Sequence, residues 1–462
     1  MSREQASMMR NTAWLMLQRV ALIASGILYA ALVPRLMGPD MYGRFALMMS
    51  LAMWCMCMSE LGFTQIQSRY IPAQLLSGGM DAVRRLFGNL LSIRVIAALP
   101  VVFILIGALS LLVPDADTVT LLTAGAFTYL WSVSNNIFGL FLGLNRAARW
   151  GMGPIVRRWS YPILISVGWF IGGLHGAVFG VLLAELAVLA LGLSWSHAYI
   201  RRDALRPDFH FLRPMLRFGL GFFGAALIHV TFRQSGETLI RLVTKDYTQV
   251  AYYGVAFSAY ISAEAAILQL LQSMVPFLSR FAIRQEFDKL STWVERLLRT
   301  MTVAVMPVLF GAIFLADEIV PLVFGRAYAP ASVNLIPMAA AVIAFALACP
   351  VHLVCVVMER PSIAFQAAVL RWMLFWAVSV PLILSAGSFG ACLGAFVATV
   401  VAAGVFTYRV QRILRYSLGR WALAVGAGLL FTPLAVLSST WKVDVALFAA
   451  AVQLQYKASI EA

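Results

Sequence analysis

Apolar runs of about 20 residues recur from one end of this chain to the other, and the polar stretches between them reach only about 20 residues. A helix rising about 1.5 Å per residue crosses ~30 Å of hydrocarbon in roughly that length. The pattern predicts helices at 12–33, 42–66, 88–113, 119–144, 154–171 and 175–199. Six more follow at 215–243, 250–279, 297–316, 332–358, 362–385 and 389–408, and a last pair at 421–438 and 443–456. The expected fold class is therefore all-α: a polytopic membrane protein of 14 transmembrane helices, or 12 as the alternative. No linker is long enough to hide a soluble domain. The run behind Met1–Arg10 continues to Val33 without a small-residue cleavage site, which makes it a retained first helix.

Composition agrees, with 61% hydrophobic and only 12% charged residues and a mean hydropathy of +0.85. The distribution of charge then orients the chain. Most of the 35 basic residues fall at the termini and in the loops after even-numbered helices, among them Arg84, Arg85, Arg146, Arg149, Arg201, Arg202, Arg280 and Arg284. The alternate loops and helix ends keep few, such as Arg35, Arg44, Arg241 and Lys245. Basic residues are retained on the cytoplasmic side, so both termini are expected there. The net charge of +15 has the same origin and calls for no nucleic acid partner. Cys55, Cys57, Cys349, Cys355 and Cys392 all lie in predicted helices as small packing residues. No H-E-x-x-H, C-x-x-C or Walker pattern occurs, so neither metal nor cofactor nor catalytic residue is expected.

The chain reads as two similar halves. Tyr42-Gly43-Arg44-Phe45-Ala46 opens the second helix, and Tyr253-Gly254-Val255-Ala256-Phe257 opens the eighth. This places a boundary near residue 205, with six helices in 1–205, six in 206–410 and two additional ones in 411–462. An even number of spans restores the same orientation, as parallel repeats require.

At the first hairpin, Pro34-Arg35-Leu36-Met37-Gly38-Pro39-Asp40-Met41-Tyr42-Gly43 leads into a helix ending Glu60-Leu61-Gly62. Phe324-Gly325-Arg326-Ala327-Tyr328 and Gly387-Ser388-Phe389-Gly390-Ala391 follow in the second half. In order and spacing these segments resemble the Wzx-type polysaccharide transporters, relatives of MATE multidrug exporters and of the lipid II flippase MurJ. The resemblance implies two six-helix bundles around a central cavity, lined largely by the first helices of each bundle. It implies a bacterial inner-membrane flippase that moves undecaprenyl-pyrophosphate-linked oligosaccharide, an O-antigen or exopolysaccharide repeat unit, between leaflets by alternating access. Its partners would be that lipid-linked oligosaccharide, membrane lipids and other polysaccharide assembly proteins.

Ionisable groups inside spans are the candidates for function, because an arginine at the bilayer centre costs at least ~2.5 kcal/mol and usually faces protein or a water-filled cavity. Helix 1 carries Gln18 and Ser25 on one face, with Arg19 beside Gln18. The helical wheel allows cavity lining, and it also allows Arg19 to snorkel to the headgroups. Helix 7 holds His229, Arg233, Glu237 and Arg241 four residues apart, a stripe that either neutralises itself or leaves one cation for cargo. Tyr253, Phe257, Tyr260 and Glu264 line helix 8, where aromatic faces suit both sugar rings and core packing. Glu264 and Glu185 are candidates for ion coupling, and Arg371 for either cargo contact or an interhelical bond. Asp115-Ala116-Asp117 and His175 read as loop residues.

Fixed cations favour an anionic cargo, with Arg19 and Arg233 as the paired binders of a pyrophosphate. A MATE-like small-molecule exporter is the alternative, although helix 1 offers Arg19 and no acid. A polytopic glycan polymerase or ligase is the weaker third reading, since no long loop is present to shape an active site.

Overall fold

The computed structural model describes residues 3–200, 207–272 and 274–414, and these residues are helical almost throughout. Eleven α-helices follow in order: α1 (Arg3–Glu60), α2 (Phe63–Leu112), α3 (Thr118–Gly143), α4 (Ala147–Ser196), α5 (Phe209–Thr244), α6 (Tyr247–Gln272), α7 (Val275–Ile283), α8 (Phe287–Phe314), α9 (Ala316–Phe324), α10 (Ser332–Val357) and α11 (Pro361–Leu414). Among the described residues, six helical stretches are long and apolar enough to cross a membrane: Ala21–Leu112, Ala147–Tyr199, Phe209–Thr244, Tyr247–Gln272, Arg326–Val357 and Ser362–Leu414. Large apolar side chains such as Phe103, Leu111, Phe170, Ile171 and Leu384 are exposed, an arrangement suited to lipid and costly in water.

The longest helices, α1, α2, α4 and α11, are each two arms joined at a break. A straight 50-residue helix would run roughly 75 Å, more than twice the hydrocarbon thickness. In α4 the break falls at Gly172 and Gly173 (φ 56°, ψ −136°), and in α11 at Ala386 and Gly387 (φ 56°, ψ −132°). A positive φ with that ψ is open in practice only to glycine. The arms then fold back on each other through small residues. Gly168 and Gly176 leave no room for a Cβ on either side, and Gly180 lies on the backbone of Leu164. In α11, Gly390 lies on the backbone of Leu382, and Gly394 on Ser379. Such close helix approach is what small residues permit in a membrane, where van der Waals packing replaces the hydrophobic effect between spans.

These breaks agree with the spans expected at 154–171 and 175–199, and at 362–385 and 389–408. Several boundaries differ. The second expected helix, 42–66, stops at Glu60, because Leu61 (φ 45°) and Gly62 (φ 76°) interrupt it. Residues from Phe63 to the break at Gly79 then form the first arm of α2, where a basic loop was expected. The expected helix 250–279 divides into α6 and the short α7, and α8 begins at Phe287, ten residues before the expected 297. The pairs at 421–438 and 443–456 lie outside the described residues.

The chain packs into two units, one formed by Met1–Leu242 with Asp246–Ala251, the other by Val243–Lys245 with Tyr252–Ala462. In the first, α3 packs between α2 and α4 over a core that includes Phe63, Ile66, Phe87, Leu90, Ile137 and Leu140. In the second, α10 packs on α8 and α11, burying Val342, Ala346, Val351, Ala391 and Cys392. The two arrangements share a register. Thr118–Gly143 and Ser332–Val357 lie 214 residues apart (332 − 118), and so do the breaks at Gly173 and Gly387 (387 − 173).

Candidate functional site

That register places two arginines at the same point, ten residues into α4 and ten into α11: Arg157 and Arg371 (371 − 157 = 214). Arg157 sits in a closed network. Its Nε donates to Glu185 Oε1 at 2.6 Å and its Nη2 to Oε2 at 3.1 Å. Nη2 also donates to Ser134 Oγ at 3.0 Å, while the Tyr161 hydroxyl donates to Glu185 Oε1 at 2.6 Å. The guanidinium lies 5.4 Å from the centre of the Trp131 ring. Glu185 is fully buried, and this two-nitrogen pairing with added hydroxyls is the geometry that makes a buried charge tolerable. Glu185, expected as an ion-coupling candidate, is thus an anion already matched by a cation.

Arg371 is held differently. Its Nη1 lies 3.4 Å from Glu264 Oε1 and 3.4 Å from the Tyr260 hydroxyl, both on α6. Glu264 is buried and the Arg371 side chain is 13% exposed. Cys349 and His352 of α10 are within electrostatic reach of the pair. Tyr253 and Tyr260 are buried in a stack, with ring centres 5.1 Å from Tyr253 to Phe257 and 5.5 Å from Phe257 to Tyr260. The structure thereby joins three expected residues, Tyr260, Glu264 and Arg371, in one cluster.

The helix 1 candidates lie on the first arm of α1. Gln18 is buried against α4, where a Cβ on Gly151 would stand 2.8 Å from its Oε1. Ser25 is also buried, its hydroxyl donating to Leu22 O at 2.9 Å. Arg19 belongs to the same arm, but its side chain lies outside the described set. On α5, His229 Nε2 and Arg233 Nη1 are 3.5 Å apart. Glu237 is buried and accepts from Ser50 of α1 at 3.4 Å, and Trp54 of α1 donates to Thr231 at 2.8 Å. Helix α5 thus meets the second arm of α1 at Glu237, which belongs to the stripe, and at Thr231, which does not.

Two further clusters were not singled out as sites from the sequence. Arg94, fully buried on α2, donates through Nε to Ser132 O at 3.0 Å and through Nη1 to Ser59 O. Its Nη2 lies 3.2 Å from Glu60 Oε2, and Glu60 in turn accepts from Thr64 N–H at 2.9 Å. Arg94 therefore fastens the broken end of α1 to α2 and α3. At the other end of the second arm of α1, near the break at Gly38, the Tyr247 ring lies between two guanidiniums, Arg44 at 4.6 Å and Arg241 at 3.9 Å. Arg44 also pairs with Asp40 at 3.2 Å and Asp115 at 3.0 Å, while Arg241 Nε and the Tyr247 hydroxyl both donate to Leu112 O, at 2.9 and 3.1 Å. Asp115 is thus an ion-pair partner in its turn.

Asp117 caps α3, accepting from the Thr120 amide at 3.3 Å and from its hydroxyl. Those bonds, the hydroxyl first, hold the Asp117 carboxyl below its ordinary range. His175 falls inside α4 and bonds to the Thr120 hydroxyl at 3.2 Å. Among the described residues, no three His, Cys, Asp or Glu side chains converge as a metal would require.

The model of one protein family, described as "Polysaccharide biosynthesis protein", matches residues 32–333. A structure of the lipid II flippase MurJ in an inward closed conformation is 13% identical, covering 97% of this chain and 98% of that one with a TM-score of 0.72. An inward-facing multidrug resistance MATE family transporter of the MOP superfamily is 14% identical, with 86% and 94% covered and a TM-score of 0.68. A Vibrio cholerae MATE transporter, VcmN in its bent form, is 15% identical, with 89% and 97% covered and a TM-score of 0.56. At these identities the likeness shows a shared fold. No curated protein sequence matches.

Proposed function

Because the chain belongs to the polysaccharide biosynthesis protein family, we propose that it is a flippase for undecaprenyl-pyrophosphate-linked oligosaccharide, an O-antigen or exopolysaccharide repeat unit. It acts in the bacterial inner membrane by alternating access, with both termini cytoplasmic, and makes or breaks no covalent bond. The observation that carries this reading is that a polysaccharide-biosynthesis match and the fold of a lipid II flippase fall on the same residues.

The chemistry of such a cargo sets what the protein must do. A pyrophosphate carries two or more negative charges, which are expensive in hydrocarbon unless cations meet them there. Arg19 on the first arm of α1 and Arg233 on α5 supply those cations, while the polyprenyl tail stays in lipid. Gln18, Ser25 and His229 offer hydrogen bonds beside them. The family's two six-helix bundles correspond to 1–205 and 206–410, and the register of 214 residues between α3–α4 and α10–α11 supports that repeat. Gating then consists of α5 parting from α1, which requires the bonds from Ser50 to Glu237 and from Trp54 to Thr231 to break and reform.

Single and double Arg19→Ala and Arg233→Ala variants test the binding role in a strain whose glycan export depends on the protein. Export falling at least tenfold in the double variant at unchanged protein level supports the reading. Wild-type export and wild-type levels of lipid-linked intermediate in the double variant would exclude these arginines as the cargo site.

A further inference from the structure

Among the described residues three carboxyl groups are buried: Glu185, Glu264 and Glu237. The first two each face an arginine, Arg157 at 2.6 Å and Arg371 at 3.4 Å. Glu237 faces none. Apart from its own backbone amide, its bonding partner is the Ser50 hydroxyl at 3.4 Å, and no charged side chain acts on it. The charged and titratable groups on neighbouring turns are engaged elsewhere. On α5, Arg233 lies beside His229, and Arg241 donates to Leu112 O and stands over the Tyr247 ring. On the second arm of α1, Arg44 pairs with Asp40 and Asp115, Tyr42 bonds to Tyr29, Glu60 pairs with Arg94, and Cys55 and Cys57 add only thiols. At the start of α6, Asp246 accepts from the Thr248 amide at 2.8 Å. A carboxylate buried without a cation is costly enough that the group gives up its charge by taking a proton.

The geometry around Ser50 has an arrangement for each protonation state. Its Oγ stands 3.4 Å from Glu237 Oε2 and 2.9 Å from Gln234 O, and a hydroxyl has one hydrogen to give. Given to Gln234 O, that hydrogen leaves Oγ to accept from a protonated Glu237. Given to Glu237, it offers an ionised carboxylate one long bond from a neutral donor. The shorter contact belongs to the protonated form.

We propose that Glu237 is a proton-binding site that couples proton movement to the parting of α1 and α5, both part of the first unit through Leu242. With the helices closed on it, Glu237 is protonated. When they part and water enters, the carboxyl O–H bond breaks, the proton passes to a water oxygen, and the carboxylate left behind is hydrated; no electron is transferred. The ionised group cannot return to the closed contact until it takes up a proton, so each cycle of opening and closing moves one. This role passes to Glu237 from Glu185 and Glu264, each already paired with an arginine. The site deepens the flippase reading, and it rests on that reading only for the cargo whose movement the proton drives.

The test uses the full-length protein in lipid nanodiscs. Exposed carboxyls titrate at about 4 and are ionised at neutral pH, so a protonated-carboxyl stretch in the infrared spectrum there reports a buried acid. The band is expected in the wild type, lost in Glu237→Gln, kept in Glu185→Gln, and shifted in Ser50→Ala, which removes the hydroxyl partner. Its absence from the wild type, or its persistence unchanged in Glu237→Gln, overturns the proposal. Hydrogen exchange of the α5 segment around Glu237, corrected for the intrinsic rate, reads the parting of the helices. It is expected to rise about tenfold from neutral to alkaline pH in the wild type and in Glu237→Asp, and to stay flat in Glu237→Gln. The same rise in Glu237→Gln as in the wild type overturns the coupling. Should Glu237→Gln fail to fold, Ser50→Ala decides: a shifted band supports the site and an unshifted band overturns it. Loss of the band in Glu237→Gln, together with normal glycan export in cells lacking the protein, keeps the proton site and rejects the flippase; dependence of export on the protein, with band and exchange unaltered in Glu237→Gln, does the reverse.

Discussion

Arg157 and Glu185 show how much a single pair of side chains decides in an apolar interior. Removing one partner leaves the other buried and uncompensated, at a cost of about 3–5 kcal/mol. Arg157→Ala and Glu185→Ala should each destabilise the purified protein by that order, and the double variant by less than the sum, as read by thermal unfolding in detergent. Equal effects of Glu185→Ala and of an exposed control such as Asp81→Ala would contradict the network. Asp117 works by a smaller, titratable interaction at the start of α3. Its folded-state pKa is lowered by Thr120, so its contribution is present above the ordinary carboxylate pKa and is lost as the pH falls through the lowered value. Asp117→Ala should cost about 1 kcal/mol at neutral pH, as for other helix caps, and the difference from wild type should vanish in strong acid. Measured unfolding across that pH range checks the sign. In the sequence, Arg371, Glu264 and Tyr260 could be picked out one by one as polar groups within apolar runs. Their meeting could not, because Tyr260 and Glu264 lie 111 and 107 residues before Arg371 in the chain. Arg157 was hidden for another reason: with the helix expected from 154, an arginine three residues in reads as a loop cation, whereas α4 starts at Ala147 and carries it into the core.

The helical hairpins of α4 and α11 depend on bare backbone at their crossing points. Adding a branched side chain there forces the arms apart, and overpacking of this kind typically costs about 1–3 kcal/mol. Gly168→Val and Gly390→Val should lower the unfolding temperature and the yield of monodisperse protein, because a Cβ at either position runs into the backbone of the facing arm. Gly26→Ala and Gly404→Ala, with open space around them, should not. Loss of stability in the second pair as large as in the first would refute the hairpin packing. Most spans were legible because their apolar runs are long and bounded by glycine or charge, as at Gly172-Gly173 and Ala386-Gly387. The exceptions share a physical cause. The first arm of α2 and the first turns of α8 are amphipathic, with Gln65, Gln67, Arg69, Lys289 and Arg296 among apolar residues, so they fall below the hydropathy of a span while still forming helix.

Across the molecule, the sequence indicated a polytopic all-helical protein and a polysaccharide-transporter family, and the fold shared with MurJ and MATE structures agrees with both. Function at this scale is directional: a flippase changes which leaflet holds its substrate and leaves the substrate's covalent structure alone. Loss of a small-molecule exporter would leave lipid-linked oligosaccharide untouched, and loss of a polymerase or ligase would leave unprocessed units on the outer leaflet. The leaflet occupied by those units is therefore the quantity to measure, in spheroplasts of a strain deleted for this protein, with a membrane-impermeant lectin or glycosidase as the probe. The account predicts that lipid-linked units accumulate on the cytoplasmic leaflet, protected from the probe until the membrane is opened, and that expression of the protein restores their exposure. Accumulation on the outer leaflet, fully accessible in intact spheroplasts, would contradict it.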